Sequence, residues 1–260
     1  MTQGSQAHIH IDTHGTGKNL VILHGWGMNA AVFTPLMGAF PEYRLRCPDL
    51  PGFGHSTVSG DTLDDWVDTL MQALPEQMVL AGWSLGGLVA TRAALRYPHR
   101  VEALMTIASS PCFMAREEES WPGIPPQVLS QFGAELGKDL PKTIERFLAI
   151  QAMGSETARE DIKRLRDLVL SRPLPQQVAL DQGLNMLKDV DLRPELATLS
   201  QPWLRVWGRL DGLVPKRVMP AMPSPAGACE DLMLAKASHA PFFSHPTEFV
   251  TGVKDWLSRL

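Results

Sequence analysis

One stretch, residues 78–92 with the letters MVLAGWSLGGLVATR, constrains the fold more than any other part of the sequence. Four apolar residues typical of a buried strand come first, a Gly-x-Ser-x-Gly turn centred on Ser84 follows, and a helical pattern opens at Gly87. A serine at such a turn is held in a strained conformation, and Gly82 and Gly86 let the neighbouring backbone pass close to it. Backbone N–H groups at the start of the helix favour negative charge there. The stretch therefore predicts a nucleophilic serine between a strand and a helix.

The length and composition indicate a globular protein and exclude several functional classes. The chain has 260 residues, of which 44% are hydrophobic and 20% charged, so it can bury a full core. A net charge of −4 argues against a nucleic acid partner. Neither a leader sequence nor an apolar run of about 20 residues is visible, so we expect a cytoplasmic protein, a monomer, with no membrane association. Three scattered cysteines favour reduced thiols rather than a metal site.

Apolar runs alternate with helical patterns, which predicts an α/β fold with a mostly parallel central sheet flanked by helices. Strands are expected at 7–12 (an edge strand), 19–23, 43–47, 78–81, 101–108, 203–207 and 231–235. Between 113 and 187 strand signals disappear, and helical patterns occur at 127–136, 141–153, 155–170 and 174–187. We interpret 113–187 as an all-helical cap, or lid, inserted into an α/β core of residues 1–112 and 188–260. It would cover the carboxyl edge of the sheet, where such sheets bind ligands.

A nucleophilic serine needs a general base, and the base needs an acid to orient it. His239 follows the last expected strand and fits the serine, acid, histidine order of this kind of site, with His245 as the alternative base. Asp211 follows the strand at 203–207 through a glycine turn, although an aspartate before a glycine is also a common turn residue. The sequence thus predicts a catalytic triad of Ser84, Asp211 and His239.

Attack of a serine on an ester also needs two N–H donors for the developing oxyanion. We expect one from the backbone of Leu85, directly after Ser84, and the other from the backbone of Trp26, in the loop after the strand at 19–23. His24 is expected to orient that loop rather than to act as a second base. Neither a metal nor a cofactor is needed for this chemistry, and none is expected.

Five short motifs resemble the α/β-hydrolase superfamily: His24–Gly27, Asp49–Gly54, Gly82–Gly87, Gly208–Asp211 and Ser238–Pro241. The serine nucleophile separates the chain from the dehalogenase branch of that superfamily. A narrower resemblance, to the pimeloyl-acyl-carrier-protein methyl ester esterases of biotin synthesis, covers nearly the whole chain, including the expected cap. It rests on Trp83 and on the motifs Ala108–Phe113, Trp121–Ile124, Glu145–Ala149, Gln151–Gly154, Glu156–Arg159 and Leu210–Pro215. This resemblance implies a serine carboxylesterase that removes the methyl ester from a pimeloyl chain on its partner, the acyl carrier protein.

The same resemblance implies which residues line the acyl pocket. They are Trp26, Ser84, Leu85, Phe147, Leu148, Ala149, Ile150, Gln151 and His239. The apolar members of the 147–151 stretch suit a methylene chain, although ordinary helix packing would give the same pattern.

The resemblance also implies a basic cap surface that docks an acidic carrier protein. Lys142 and Arg146 are spaced i, i+4, and so are Arg159 and Lys163, so each pair shares one helix face. We expect these four residues to contact the carrier protein, although a charged helix face is often only solvated.

Two other functions stay open from the sequence. The first is a general short-chain carboxylesterase without a carrier-protein substrate, which would hydrolyse small esters and be indifferent to the basic cap residues. The second is a binding receptor or scaffold that keeps the fold with an inactive triad, which would show no turnover of activated esters.

Overall fold

The structure is a computed structural model that describes residues 7–136 and 158–260. Its described strands form one seven-stranded sheet in the order β1-β3-β2-β4-β5-β6-β7. Strand β1 runs antiparallel to β3, and all the other neighbours are parallel. The α/β architecture expected from the sequence is confirmed. The strands are β1 (Ile11–His14), β2 (Lys18–Leu23), β3 (Tyr43–Pro48), β4 (Met78–Trp83), β5 (Val101–Ile107), β6 (Trp203–Gly208) and β7 (Cys229–Leu234).

Helices connect most of these strands, and three of them lie in the described part of the segment between β5 and β6. A capping box fixes the start of α1. The Thr62 hydroxyl accepts a hydrogen bond from the Asp65 N–H, and the Asp65 carboxylate accepts one from the Thr62 N–H. None of the described helices is long and apolar enough to cross a membrane. The α-helices of the described residues are α1 (Leu63–Ala73), α2 (Leu85–Arg96), α3 (Pro126–Leu136), α4 (Ala158–Leu170), α5 (Gln177–Asp189), α6 (Val218–Ala221), α7 (Pro241–Ser244) and α8 (Pro246–Leu257).

The central strands are apolar throughout because helices cover both faces of the sheet. Every residue of β4 is buried, and so are the last four residues of β2. Since the parallel strands end at one edge of the sheet, the loops that follow β2, β3, β4, β6 and β7 meet there. All the residues expected to form the triad and the oxyanion hole lie on these loops or at the start of α2.

The first strand begins later than the sequence predicts. The alternating pattern of residues 7–12 suggests a strand there, but the ladder to β3 starts at Ile11. The preceding residues are bonded to a loop instead: the His8 N–H donates to Thr57 Oγ1 (2.8 Å), and the His10 N–H donates to Ser56 Oγ (3.0 Å). The residues before Ile11 are bonded to a loop and not to a strand, so the predicted start of β1 is wrong.

The three described helices of the expected cap lie at three of the positions that the periodicity indicates. The fourth expected helix, at 141–153, falls outside the described residues, and the cap bounds of 113 and 187 stay a prediction. Two of the described helices are bonded to the segment that follows β2. The Trp26 Nε1–H donates to the Leu180 carbonyl of α5 (2.8 Å), and the Asn29 Nδ2–H donates to the Val169 carbonyl of α4 (2.9 Å).

Candidate active site

Ser84 lies on the turn between β4 and α2 in a backbone conformation that non-glycine residues rarely adopt, with φ of 55° and ψ of −121°. Glycines around it make this turn possible. A Cβ atom on Gly82 would lie 2.1 Å from the Gly86 carbonyl oxygen, and one on Gly86 would lie 2.4 Å from the Leu23 carbonyl oxygen. The strain and the close backbone approach are the features expected of a turn that presents a nucleophile.

The fold brings the three expected triad residues together from distant parts of the chain. His239 Nε2 lies 2.9 Å from Ser84 Oγ, and His239 Nδ1 lies 2.7 Å from Asp211 Oδ2. All three side chains are buried. The second oxygen of the Asp211 carboxylate accepts the backbone N–H groups of Leu213 (2.8 Å) and Val214 (2.9 Å).

These contacts favour one tautomer of His239. The Asp211 carboxylate only accepts hydrogen bonds when ionised, so the proton of the neutral imidazole belongs on Nδ1. Nε2 then carries a lone pair directed at the Ser84 hydroxyl, which is the arrangement that general-base catalysis requires.

Three other histidines take no part in these contacts. His55 and His99 are exposed. His245, the alternative base, has its Nδ1 2.9 Å from the Ser244 hydroxyl and precedes α8, so the triad geometry favours His239.

Trp83 anchors the loop that carries His239, a contact that the sequence analysis missed. Its Nε1–H donates to the His239 carbonyl oxygen at 2.7 Å, and its ring packs edge-on against Phe242 at a centroid distance of 5.1 Å. Both bonded residues are fully buried. The signal available in the sequence was the tryptophan within the turn itself, but its partner is 156 positions away.

The loop after β2 approaches the nucleophile closely. A Cβ atom on Gly25 would lie 3.2 Å from Ser84 Cβ, so glycine permits this approach. Leu85 is the first residue of α2, and Trp26 is buried beside the cap. Leu85 thus adjoins Ser84 in the chain and Trp26 adjoins Gly25, and the role of their backbone N–H groups as oxyanion donors stays a prediction.

His24 ties that loop to the loop after β3. Its Nδ1 lies 2.8 Å from the Gly25 carbonyl, and its Nε2 accepts the Leu50 N–H at 2.9 Å. Full burial is the main cause that lowers the pKa of His24 to about 4, so the ring is neutral at neutral pH. With both ring nitrogens bonded to backbone groups, His24 orients the loop, as expected from the sequence.

An apolar cleft lies above Ser84. It combines the loop after β5, helices α3 and α5, and the loop after β6, and such a lining suits an aliphatic chain. The sequence analysis named Trp26 and Ser84 but missed the rest. The expected lining residues at 147–151 lie outside the described residues. The described lining residues are Trp26, Ser84, Phe113, Ile124, Val128, Leu129, Leu184, Leu187 and Leu213.

Of the four expected docking residues, Lys142 and Arg146 lie outside the described residues. Arg159 and Lys163 are exposed on α4, whose opposite face buries Leu165 and Val169. In the described part of the chain no carboxylate pairs with either cation. The two charges are therefore available on the surface.

This fold and this arrangement of serine, histidine and aspartate define an α/β-hydrolase. The family model for the alpha/beta hydrolase fold matches residues 18–246. Among solved structures, an esterase from Exiguobacterium antarcticum superposes with a TM-score of 0.87 over 97% of this chain and 96% of its own, at 21% identity. At that identity the likeness concerns the fold alone.

Curated relatives narrow the family. A protein from Shewanella sp. (strain MR-7) is 64% identical over 99% of this chain and 97% of its own length. One from Shewanella woodyi is 64% identical over 96% of this chain and 98% of its own. Both are named pimeloyl-acyl-carrier-protein methyl ester esterase. The chain belongs to the family of these esterases, as its sequence motifs predict.

Proposed function

We propose that this chain is a serine carboxylesterase that hydrolyses the methyl ester of a pimeloyl group bound to acyl carrier protein. The observation that carries the proposal is the 64% identity, over nearly the full length, to relatives named for that activity. The hydrogen-bonded Ser84, His239 and Asp211 beneath an apolar cleft supply the chemistry it needs.

Acylation begins when His239 Nε2 takes the proton of the Ser84 hydroxyl while Oγ attacks the ester carbonyl carbon. The electron pair of the carbonyl moves onto its oxygen, and the backbone N–H groups of Trp26 and Leu85 stabilise that oxyanion. As the tetrahedral intermediate collapses, the C–O bond to the methoxy group breaks, and His239 gives its proton to the leaving oxygen. Methanol leaves, and the acyl group stays on Ser84.

Deacylation repeats these steps with water. His239 Nε2 accepts a proton from the water as it attacks the acyl-enzyme, and the same two N–H groups hold the second oxyanion. Collapse breaks the bond to Ser84 Oγ, which takes the proton from His239, and releases the carboxylic acid. The acid, still attached to its carrier, gives its remaining proton to solvent and becomes the pimeloyl carboxylate. Throughout, the Asp211 carboxylate keeps the proton of the imidazole on Nδ1 and stabilises the imidazolium.

The carrier protein would dock through four basic residues of the expected cap, Lys142, Arg146, Arg159 and Lys163. Support comes from the exposure of Arg159 and Lys163 on a chain whose net charge is −4. A locally positive surface on an acidic protein favours an acidic partner and raises its association rate. The protein would act as a cytoplasmic monomer without a metal or a cofactor.

The decisive test compares kcat/KM on pimeloyl-acyl-carrier-protein methyl ester with that on a short p-nitrophenyl ester. We expect a strong preference for the carrier-bound substrate and no turnover of either by Ser84→Ala. Ser130→Ala, which alters an exposed serine of α3, is the matched control and should keep wild-type rates. Activity on the small ester alone would instead support the general carboxylesterase, and turnover of neither would support the binding protein.

The docking face has its own test. Arg159→Ala with Lys163→Ala should lower kcat/KM on the carrier-bound ester by about tenfold while leaving the small ester unchanged, because rim charges act mainly on association. Adding Lys142→Ala and Arg146→Ala should enlarge the loss. The control pair Lys18→Ala with Lys254→Ala removes two exposed cations elsewhere. An equal loss on both substrates, or an equal loss in the control pair, would contradict the docking role.

A further inference from the structure

Arg172 joins the cap to the core through two carboxylates. It lies two residues after α4, and only 13% of its side chain is exposed. Its Nη1 lies 3.2 and 3.1 Å from the two oxygens of Asp49, and its Nη2 pairs with Asp12. Because the Asp49 side chain has no exposure to solvent, Arg172 is a direct countercharge for a buried carboxylate.

Asp49 in turn holds the segment that carries the expected oxyanion donor. Its carboxylate accepts the backbone N–H of Ala30 at 2.7 Å and that of His55 at 2.9 Å. The next residue, Leu50, donates its N–H to His24, at the other end of the segment. The loop of residues 24–30 is therefore bonded at both ends to Asp49 and its neighbour.

We propose that Arg172 is a positioning residue for the oxyanion hole. By neutralising Asp49 it keeps that carboxylate buried and available to the Ala30 N–H, and so fixes the loop that carries the expected oxyanion donor, the backbone N–H of Trp26. Without the guanidinium, the buried charge would draw in water or a proton and loosen its bonds to the loop. The inference rests on the proposed ester hydrolysis, and it extends that hydrolysis to a residue of the cap.

A purely structural role is the competing explanation, because Arg172 also fastens the cap. Gln182 provides a matched control: its Nε2 donates to the Gly60 carbonyl (3.0 Å) and to Asp61 Oδ1 (2.8 Å), a bond between cap and core that does not involve loop 24–30. Loss of either contact should loosen the cap. Only the loss of the Arg172 contact should also weaken the stabilisation of the oxyanion.

The experiment uses the full chain with a p-nitrophenyl ester and with a trifluoromethyl ketone, a probe whose adduct with serine carries an oxyanion. Arg172→Met should lower both kcat and kcat/KM by about tenfold. It should also lower the affinity of the enzyme for the ketone by a similar factor. This is less than the 100-fold or greater cost of deleting a donor, since the loop is displaced rather than removed. Gln182→Ala should keep wild-type values for both.

Arg172→Lys should recover part of the loss, because one ammonium can neutralise Asp49 but cannot bond both carboxylates in the same geometry. For Arg172→Lys we expect about a threefold loss of kcat and of ketone affinity. This variant tests the proposal even if Arg172→Met does not fold. Unchanged kinetics and inhibition in a folded Arg172 variant would overturn the proposal, as would an equal loss in Gln182→Ala. Wild-type protein that turns over neither this ester nor the carrier-bound ester would contradict the ester hydrolysis itself and not this role.

Discussion

Replacing Trp83 by Phe should show whether this residue positions His239, the proposed general base, in addition to stabilising the fold. The substitution removes the Nε1–H that donates to the His239 carbonyl oxygen at 2.7 Å, and both residues are fully buried. A buried carbonyl left without its donor costs about 1–3 kcal/mol. The missing ring atoms add about 1 kcal/mol of lost packing. The free energy of unfolding should therefore fall by about 2–4 kcal/mol, which is about 5–15 °C in Tm for a chain of this size.

Catalysis should fall as well, because the freed carbonyl belongs to the base itself. A shift of His239 lengthens its bond to Ser84 Oγ, and misplacement by about 1 Å can cost 100-fold. We expect kcat on a p-nitrophenyl ester to drop by about tenfold or more. The measurement is steady-state kinetics well below the melting temperature of the variant, where folded protein is the main species.

Trp203→Phe is the matched control. Trp203 is equally buried, and its Nε1–H donates to Thr106 Oγ1 at 3.0 Å, within the same sheet but away from the base. It should show a comparable loss of stability with kcat unchanged. If the two variants lose stability and keep the same kcat, Trp83 does not position the base, and the reasoning is refuted.

Two further predictions concern the ionisable groups. Asp211→Asn should lower kcat by about 10⁴-fold, as in serine proteases. The amide can donate to His239 Nδ1, which favours the tautomer whose Nε2 cannot accept the Ser84 proton. A loss below about tenfold in the same ester assay would contradict the role of Asp211. The pKa of His24 is lowered by burial from 6.5 to about 4, so the unfolded chain binds this proton first as the pH falls. Stability should thus be lost between about pH 6.5 and 4, by about 3 kcal/mol from this residue. Urea unfolding of wild type and His24→Gln across that range checks it, and parallel curves would contradict it.

The sheet could be predicted from the sequence because its signals are local. The apolar runs of β2 to β7 identify strands whose bounds agree with the structure to within two residues. The turn at Ser84 is recognisable from Gly82 and Gly86, because both glycines lie within two residues of the serine. The start of β1 was mispredicted because alternation shows an extended chain and does not say what that chain pairs with.

The supporting contacts could not be predicted, since they join residues far apart in sequence. Trp83 and His239 are separated by 156 positions, and Arg172 and Asp49 by 123. A single tryptophan or arginine carries no local sign of such a partner. The cleft was missed for the same reason: Phe113, Val128 and Leu213 read as ordinary apolar residues until the fold places them above Ser84.

Gly183 sets a condition on exchanging caps between hydrolases. A Cβ atom at this position of α5 would lie 2.9 Å from Trp26 Cδ1 and 3.0 Å from Leu85 Cδ2, the side chains of the two expected oxyanion donors. One turn earlier, the Leu180 carbonyl accepts the Trp26 indole N–H. A chimera with a cap from another hydrolase would need a glycine at the position of Gly183 and a carbonyl that accepts the Trp26 indole N–H. The cap of this enzyme is therefore not an interchangeable module, and swaps made to alter substrate range should include the residue that faces Trp26.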